Sequence, residues 1–252
     1  MLITRRNFVN LSVVSAISVA CNQQKPRDTS LIPPDPKIVA LEWVYVENLL
    51  ALGIQPAGVA DIAGYHQYVN IAPKLASSVV EVGTRQEPNL EAIAKIKPDL
   101  IVGVKQRHES IYQTLSAITK TLLFDPYPKL EAGSQFTQMQ QNFLDLAQVC
   151  QKVAQAESVL KTMQATFRDA TKKLSTAKLA GSSFVLCQFV PDFRLFTDNS
   201  IAVQILSQIG LKNVWQGKLE RFGFNTVAIE ALATVEQAHF LYIPQGESQL
   251  QR

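Results

Sequence analysis

Two hydrophobic rhythms alternate along this chain, one of strand period and one of helical period. Residues 37–41 are a short apolar run that reads as a strand, followed by a helix over about 44–52 that stops at Gly53. A strand near 57–60 comes after Pro56, and then an irregular stretch carries Tyr65, His66 and Tyr68. Residues 79–82 form a brief strand that runs into Gly83-Thr84-Arg85-Gln86-Glu87-Pro88. Asn89 suits the N-cap of a helix over 90–96, since its side-chain oxygen accepts from a free backbone N–H while Leu90, Ile93, Ala94 and Ile96 share a face. Pro98 ends that helix, and 99–103 reads as a buried strand. A helix over about 109–118 and a strand over 121–124 close this first unit. Strands alternating with helices argue for a mainly parallel sheet.

From 134 to 180 the pattern changes. This stretch has no proline, and Phe136, Met139, Phe143, Leu146 and Ala147, then Val159, Leu160, Met163 and Phe167, fall at helical spacing. A connecting helix over 134–151, a break near Lys152 and a second helix to about Leu174 are predicted, with the strand rhythm returning over 183–189. The second half then repeats the first in order. Leu49-Leu50-Ala51-Leu52-Gly53-Ile54 has a counterpart in Ile205-Leu206-Ser207-Gln208-Ile209-Gly210-Leu211. Glu91-Ala92-Ile93-Ala94 is matched by Glu230-Ala231-Leu232-Ala233, and each block leads into a strand. The fold class is therefore α/β, with two lobes of mainly parallel sheet (37–133 and 152–252) joined by a long helix. A cleft between such lobes is a favoured ligand site. After its last predicted strand the second lobe has only a polar tail, 244–252, where the first lobe spends a further helix and strand, so the second lobe is expected to be C-terminally truncated.

The apolar fraction of 47% with 18% charged residues excludes a disordered chain. A formal charge of +3, without basic runs interleaved with aromatics, excludes a nucleic-acid binder. At the N-terminus, Arg5-Arg6-Asn7-Phe8 precedes an uncharged apolar stretch over 9–20, too short for an ordinary membrane span and suited to the core of an export signal. The paired arginines resemble a twin-arginine signal, so residues 1–20 are read as a signal. Ser18-Val19-Ala20-Cys21 resembles a lipobox, with Cys21 acylated as the membrane-anchored mature N-terminus; a simply cleaved signal is the alternative. Removing 1–20 takes away two arginines and no acid, lowering the formal charge from +3 to +1. Residues 21–36, rich in Gln, Pro and Ser, read as a flexible tether. Cys150 and Cys187 lie in apolar surroundings without Cys-x-x-Cys spacing and are read as buried single cysteines, with a bridge between them left open. No Gly-x-Ser-x-Gly elbow or phosphate-binding loop occurs, and the three histidines are scattered, so neither an enzyme nor a direct metal receptor is indicated.

These blocks carry a resemblance. Ile38-Val39-Ala40-Leu41-Glu42-Trp43, Leu49 to Ile54, Gly58-Val59-Ala60-Asp61 and above all the block from Gly83 to Glu91 are similar to ferric hydroxamate-binding proteins of siderophore ABC importers. Asn199-Ser200, the block from Gly210 to Gly217 and Phe222-Gly223 extend the match, which runs over 37–243. The resemblance implies a helix-linked two-lobe binding protein with a shallow cleft and a longer second lobe than this chain has. It also implies a monomer at the outer face of the cytoplasmic membrane that delivers an iron(III)-siderophore, of hydroxamate or citrate-hydroxamate type, to an ABC permease. It implies no catalytic residue, resident metal or cofactor. Receptors for haem, cobalamin or ferric citrate share the fold and stay open as alternatives, as does an inactive truncated remnant.

A ferric siderophore is an oxygen-caged complex, so its receptor needs fixed donors and aromatic walls. Arg85 offers a planar, permanently charged fork to carboxylate or hydroxamate oxygens, and its position matches the family's ligand-binding arginine; the alternative is a surface arginine paired with Glu87. Arg107, in a loop after the strand that ends at Gly103, is a second candidate anion contact. Trp43, Tyr65, Tyr68 and Phe222 are candidates for the aromatic wall, with core packing as the competing role. Glu91 and Glu230 each stand near a helix start, where the dipole favours a carboxylate. In the family, acids at these positions look like docking points for arginines of the permease, one per lobe.

Overall fold

The computed structural model describes residues 32–129, 134–190, 192–235 and 237–244. The expected signal over 1–20 and Cys21 lie outside them. The described end of the expected tether is not loose: Ile32 is buried in the first core, and its carbonyl accepts from Gln151 Nε2.

The first lobe runs β1 (Ile38–Ala40), α1 (Trp43–Ala51), β2 (Gly58–Val59), α2 (Ile62–Tyr68), β3 (Val80–Glu81), α3 (Leu90–Ile96), β4 (Leu100–Val104), α4 (Lys105–His108), a 3₁₀ turn (Glu109–Ile111), α5 (Tyr112–Ile118) and β5 (Thr121–Phe124). The strands form one sheet in the order β3-β2-β1-β4-β5 with every pair parallel. Both faces are covered, which is why the central strands are apolar at successive positions. Ile38, Ala40, Leu100, Val102 and Val104 face a core shared with α1. Val39, Leu41 and Ile101 face a second core under α3 and α5. Asn89 caps α3 as expected, its side chain accepting from Ala92 N. The stretch read as irregular is instead the helix α2, capped by Asp61, whose carboxylate accepts from Gly64 N. Asp61 stands at φ 58, an unusual conformation for an N-cap, and this hid the helix start.

Next come α6 (Gln135–Val149) and α7 (Val153–Thr176). Gln151, left-handed at φ 58, lets Lys152 N bond back to Ala147 O, so the chain turns where the break was expected. The helix expected over 134–151 is thus α6 and the second helix is α7, the two forming a helical hairpin. α6 leaves the second lobe, where Phe136 N donates to Gln204 Oε1, and buries Phe143, Leu146 and Ala147 in the first core. α7, 24 residues and about 36 Å long at about 1.5 Å per residue, starts against that core at Ala156 and leads back. None of the helices among the described residues is long and apolar enough to cross a membrane.

The second lobe contains β6 (Ser183–Val190), β7 (Asp192–Phe196), α8 (Ile201–Gln208), β8 (Lys212–Asn213), β9 (Phe224–Val227), a 3₁₀ segment (Ile229–Thr234) and β10 (His239–Ile243). Its sheet runs β10-β6-β7-β9, with β8 also on β6. The expectation of mainly parallel sheet holds for the first lobe and needs correction here. β6 pairs parallel with β10 and β8, but β6–β7 and β7–β9 are antiparallel. One residue separates β6 from β7, too few for a crossover, so β7 runs back beside its neighbour. The repeat between lobes is nevertheless physical. At the end of α1, Gly53 N bonds Leu50 O and Ile54 N bonds Leu49 O; at the end of α8, Gly210 N bonds Ser207 O and Leu211 N bonds Leu206 O. Both glycines have positive φ, 76 and 94, which this helix stop requires. Likewise Glu91 and Glu230 stand in the first turns of helical segments that lead into β4 and β10, each parallel to the first strand of its lobe.

Candidate ligand-binding site

In open parallel sheets the carboxyl ends of the strands converge on a crevice, and here the candidate residues gather there. Glu42 follows β1, Asp61 follows β2, Arg85 stands on the loop after β3, Arg107 follows β4 and Tyr127 follows β5. A cavity of about 380 Å³ opens at this edge, lined by Glu42, Trp43, Tyr45, Glu47, Arg85, Arg107 and Tyr127 from the first lobe, by Gln135, Met139 and Asn142 of α6, and by Ile201 of the second lobe. A larger groove of about 540 Å³ runs along β5, but its lining comes from the first lobe alone.

The Arg85 loop is tightly built. Gly83 and Pro88 bridge across it, Thr84 N bonds Glu87 O, and Glu87 N bonds Thr84 Oγ1. Gly83 has φ +88, and a Cβ there would stand 2.7 Å from Asn89 N, so the turn needs a glycine. Arg85 does not pair with Glu87. Its guanidinium lies 3.7 Å from the Trp43 ring centre, Nη1 is 3.4 Å from Glu42 Oε2, and Nε is 3.6 Å from Asp61 Oδ2. The last contact is an ion pair and too long for a hydrogen bond, and Nε has no hydrogen-bond partner among the described residues. Trp43 is itself fixed, with Nε1 donating to Asp61 O at 3.1 Å. Arg107, on the short helix α4 and not in a loop, donates from Nη1 to Glu42 Oε1 at 2.8 Å. Glu42 therefore holds both candidate arginines. It is 5% exposed; burial raises its pKa above the usual 4.5, while Arg107 and then Arg85 pull it down.

His108 braces this arrangement from behind. Its ring is fully buried, and Nδ1 accepts from Val104 N at 3.1 Å, so the proton sits on Nε2, 2.9 Å from the Arg85 carbonyl oxygen. Burial lowers its pKa below the ordinary 6.5, against the opposing bond to Arg85. Below pH 6.5 the unfolded chain takes up a proton that the folded protein resists, so this contribution to stability is complete above 6.5 and declines as pH falls toward the folded pKa. The melting temperature of His108→Gln, which keeps a donor and an acceptor, is expected to fall less steeply below pH 6.5 than that of the parent. Parallel melting curves would contradict this.

The aromatic candidates divide. Trp43 lines the cavity, and Tyr68, 69% exposed, stacks on it with ring centres 5.9 Å apart. Tyr65 does not line the cavity: it is 2% exposed, on the buried side of α2 in the first core. Phe222, from the second lobe, meets Tyr127 edge-on at 5.0 Å and so reaches the site through that ring. The lobes are pinned there by Arg221 Nη2 against Asp125 Oδ2 at 3.3 Å. Gln135 adds two bonds, its amide donating to Arg221 O and its Oε1 accepting from Ile201 N.

Sequence reasoning missed Glu42, Tyr127 and Tyr45. Tyr45 is 1% exposed and lines the cavity, and its hydroxyl has no protein partner among the described residues. Burial raises its pKa and keeps it a neutral donor. Tyr45→Phe is expected to leave the unliganded protein as stable or to stabilise it by up to about 1–3 kcal/mol in urea unfolding, because it removes an unsatisfied buried group. A clear loss of stability would mean that the hydroxyl is already bonded.

Glu91 and Glu230 lie away from the cavity and are exposed. Cys150 and Cys187 are buried, in separate cores of the two lobes, and unpaired among the described residues. Among the described residues, no group of three His, Cys, Asp or Glu side chains is placed to hold a metal ion.

Two α/β lobes, pinned across a helical hairpin with a polar and aromatic cavity at their junction, define a solute-binding protein of the two-lobed kind. Residues 38–245 match the periplasmic binding protein family, and the chain belongs to it. It is 31% identical over 252 residues to the iron(3+)-hydroxamate-binding protein FhuD of Escherichia coli K12, covering 98% of this chain and 80% of that one. It is 30% identical to the probable siderophore-binding lipoprotein YfiY of Bacillus subtilis, over 84% of this chain and 64% of the relative. Among solved structures, FhuD of Vibrio cholerae with Fe3+-Desferal bound aligns with a TM-score of 0.78 at 29% identity, covering 86% of this chain and 81% of that one. These relatives are binding proteins.

Proposed function

We propose that this chain is the substrate-binding component of an ABC importer and captures an iron(III)-siderophore, of hydroxamate or citrate-hydroxamate type, in the cavity at the lobe junction. The observation that carries this reading is the pair of arginines, Arg85 and Arg107, held at the carboxyl edge of the sheet beside Trp43. Their remaining N–H groups suit the oxygen shell of a ferric chelate, and Trp43, Tyr127 and Phe222 offer flat apolar surface to its ligand arms. The relatives named for iron(3+)-hydroxamate and siderophore binding support the same class of ligand. The protein works outside the cytoplasm, delivered by the signal over 1–20 and anchored through Cys21 where that residue is acylated. Glu91 and Glu230, exposed and similarly placed on the two lobes, are its contacts with the permease.

Titrating the purified protein with ferric desferrioxamine, ferric citrate, haem and cobalamin, followed by quenching of tryptophan fluorescence, tests the reading. Saturable quenching by the ferric hydroxamate at micromolar or lower concentration is expected, with loss of the response in a Trp43→Phe variant. Tight haem or cobalamin binding without a response to the hydroxamate would overturn it.

A further inference from the structure

The two arginines do not make the cavity positive. Glu42 takes one bond from each, its Oε1 2.8 Å from Arg107 and its Oε2 3.4 Å from Arg85, and Asp61 stands 3.6 Å from Arg85 Nε. Glu47 lines the same cavity. The lining therefore carries two cations against two acids, and Asp61, outside the lining, is a third acid set against Arg85. Glu42 is also placed in a way that local structure does not require. It occupies the N-cap of α1, yet its side chain makes no capping bond, and both oxygens are turned to the arginines. A carboxylate only 5% exposed competes strongly with any incoming anion, because the surrounding protein screens it less than water does. Each guanidinium carries five N–H donors, and those not turned to Glu42 or Asp61 can meet oxygens that bear no net charge.

We propose that Glu42, seconded by Asp61, cancels the charge of Arg85 and Arg107 and thereby selects ferric chelates that are neutral or cationic over anionic ones. The arginines act on such a ligand as oriented hydrogen-bond donors, and an anionic chelate has to displace or face the Glu42 carboxylate. This inference rests on the siderophore reading and narrows it toward trihydroxamates without free carboxylates.

The test uses one iron core at three charges: ferric desferrioxamine B, whose free amine makes the complex cationic, its N-acetyl derivative, which is neutral, and its N-succinyl derivative, which is anionic. For the parent protein the cationic and neutral complexes are expected to bind at least about 10-fold more tightly than the anionic one, a difference that higher salt reduces. Glu42→Gln keeps the shape and an acceptor for the arginines, and is expected to shrink the cationic-to-anionic affinity ratio by about 10-fold or more. Asp61→Asn is expected to shift the same ratio in the same direction by less, and it serves as the second variant if Glu42→Gln melts early. Equal losses for all three complexes in both variants would show that the acids only hold the loops in place and would overturn the inference. So would a parent protein that binds the anionic complex as tightly as the others, and either result leaves the siderophore reading standing. Failure of the parent to bind any of the three would remove both.

Discussion

Arg85→Gln is expected to weaken binding of a ferric trihydroxamate about 10- to 100-fold in a fluorescence or calorimetric titration. A hydrogen bond from a charged donor contributes about 1.5–3 kcal/mol, and each 1.4 kcal/mol is about tenfold in affinity. The guanidinium also stacks on Trp43, 3.7 Å from its ring centre, so the substitution removes a cation–π contact as well. The fold should survive, because Glu42 keeps its shorter bond to Arg107 at 2.8 Å and is not left an unpaired buried charge. Retained affinity in a folded variant would remove Arg85 from the site. Collapse of the fold would instead make it a structural residue, and a melting curve distinguishes the two.

The second large effect concerns transport. The double reversal Glu91→Lys and Glu230→Lys is expected to reduce siderophore-dependent iron uptake to background in cells that rely on this protein, while the affinity for the free ligand stays within about twofold. Both carboxylates are exposed, both stand in the first turn of a helical segment, and neither lines the cavity. Placing a like charge across a docking surface costs several kcal/mol, and one such clash on each lobe would deny the permease both contacts. Each single reversal is expected to give a partial defect. Normal uptake by the double variant would dismiss these acids as docking points, and a parallel loss of ligand affinity would show that they act on the site or the fold instead.

Much of the first lobe was legible because its central strands are buried on both faces and its helices carry conventional stops. Gly53 and Asn89 announce helix ends by local chemistry that survives any tertiary context, and 134–176 was legible as two helices because helical periodicity persists over so long a stretch. The helix α2 was hidden by a left-handed N-cap, and with it the fact that Tyr65 faces the core while Tyr68 faces outward three residues later. β7 and β9 escaped notice because Phe193, Leu195, Asn225 and Val227 pair within a twisted antiparallel ribbon whose strands are only partly buried, so their alternation is weak. At the site, Arg85 and Trp43 stood out through the resemblance and through their chemistry. Their contact with one another, across some 40 residues, belongs to the topology of the sheet and has no signature in sequence. Glu42 did have one: a lone acid placed directly after a fully buried parallel strand, where ligands gather in such sheets.

The most direct measurement is a crystal structure of the protein with a ferric trihydroxamate, in which anomalous scattering locates the iron without reference to the protein density. The iron is expected in the cavity at the lobe junction, with chelate oxygens within hydrogen-bonding distance of Arg85 or Arg107 and ligand arms against Trp43, Tyr127 or Phe222. An iron peak elsewhere, such as in the groove along β5, or iron bound directly by protein side chains, would contradict it.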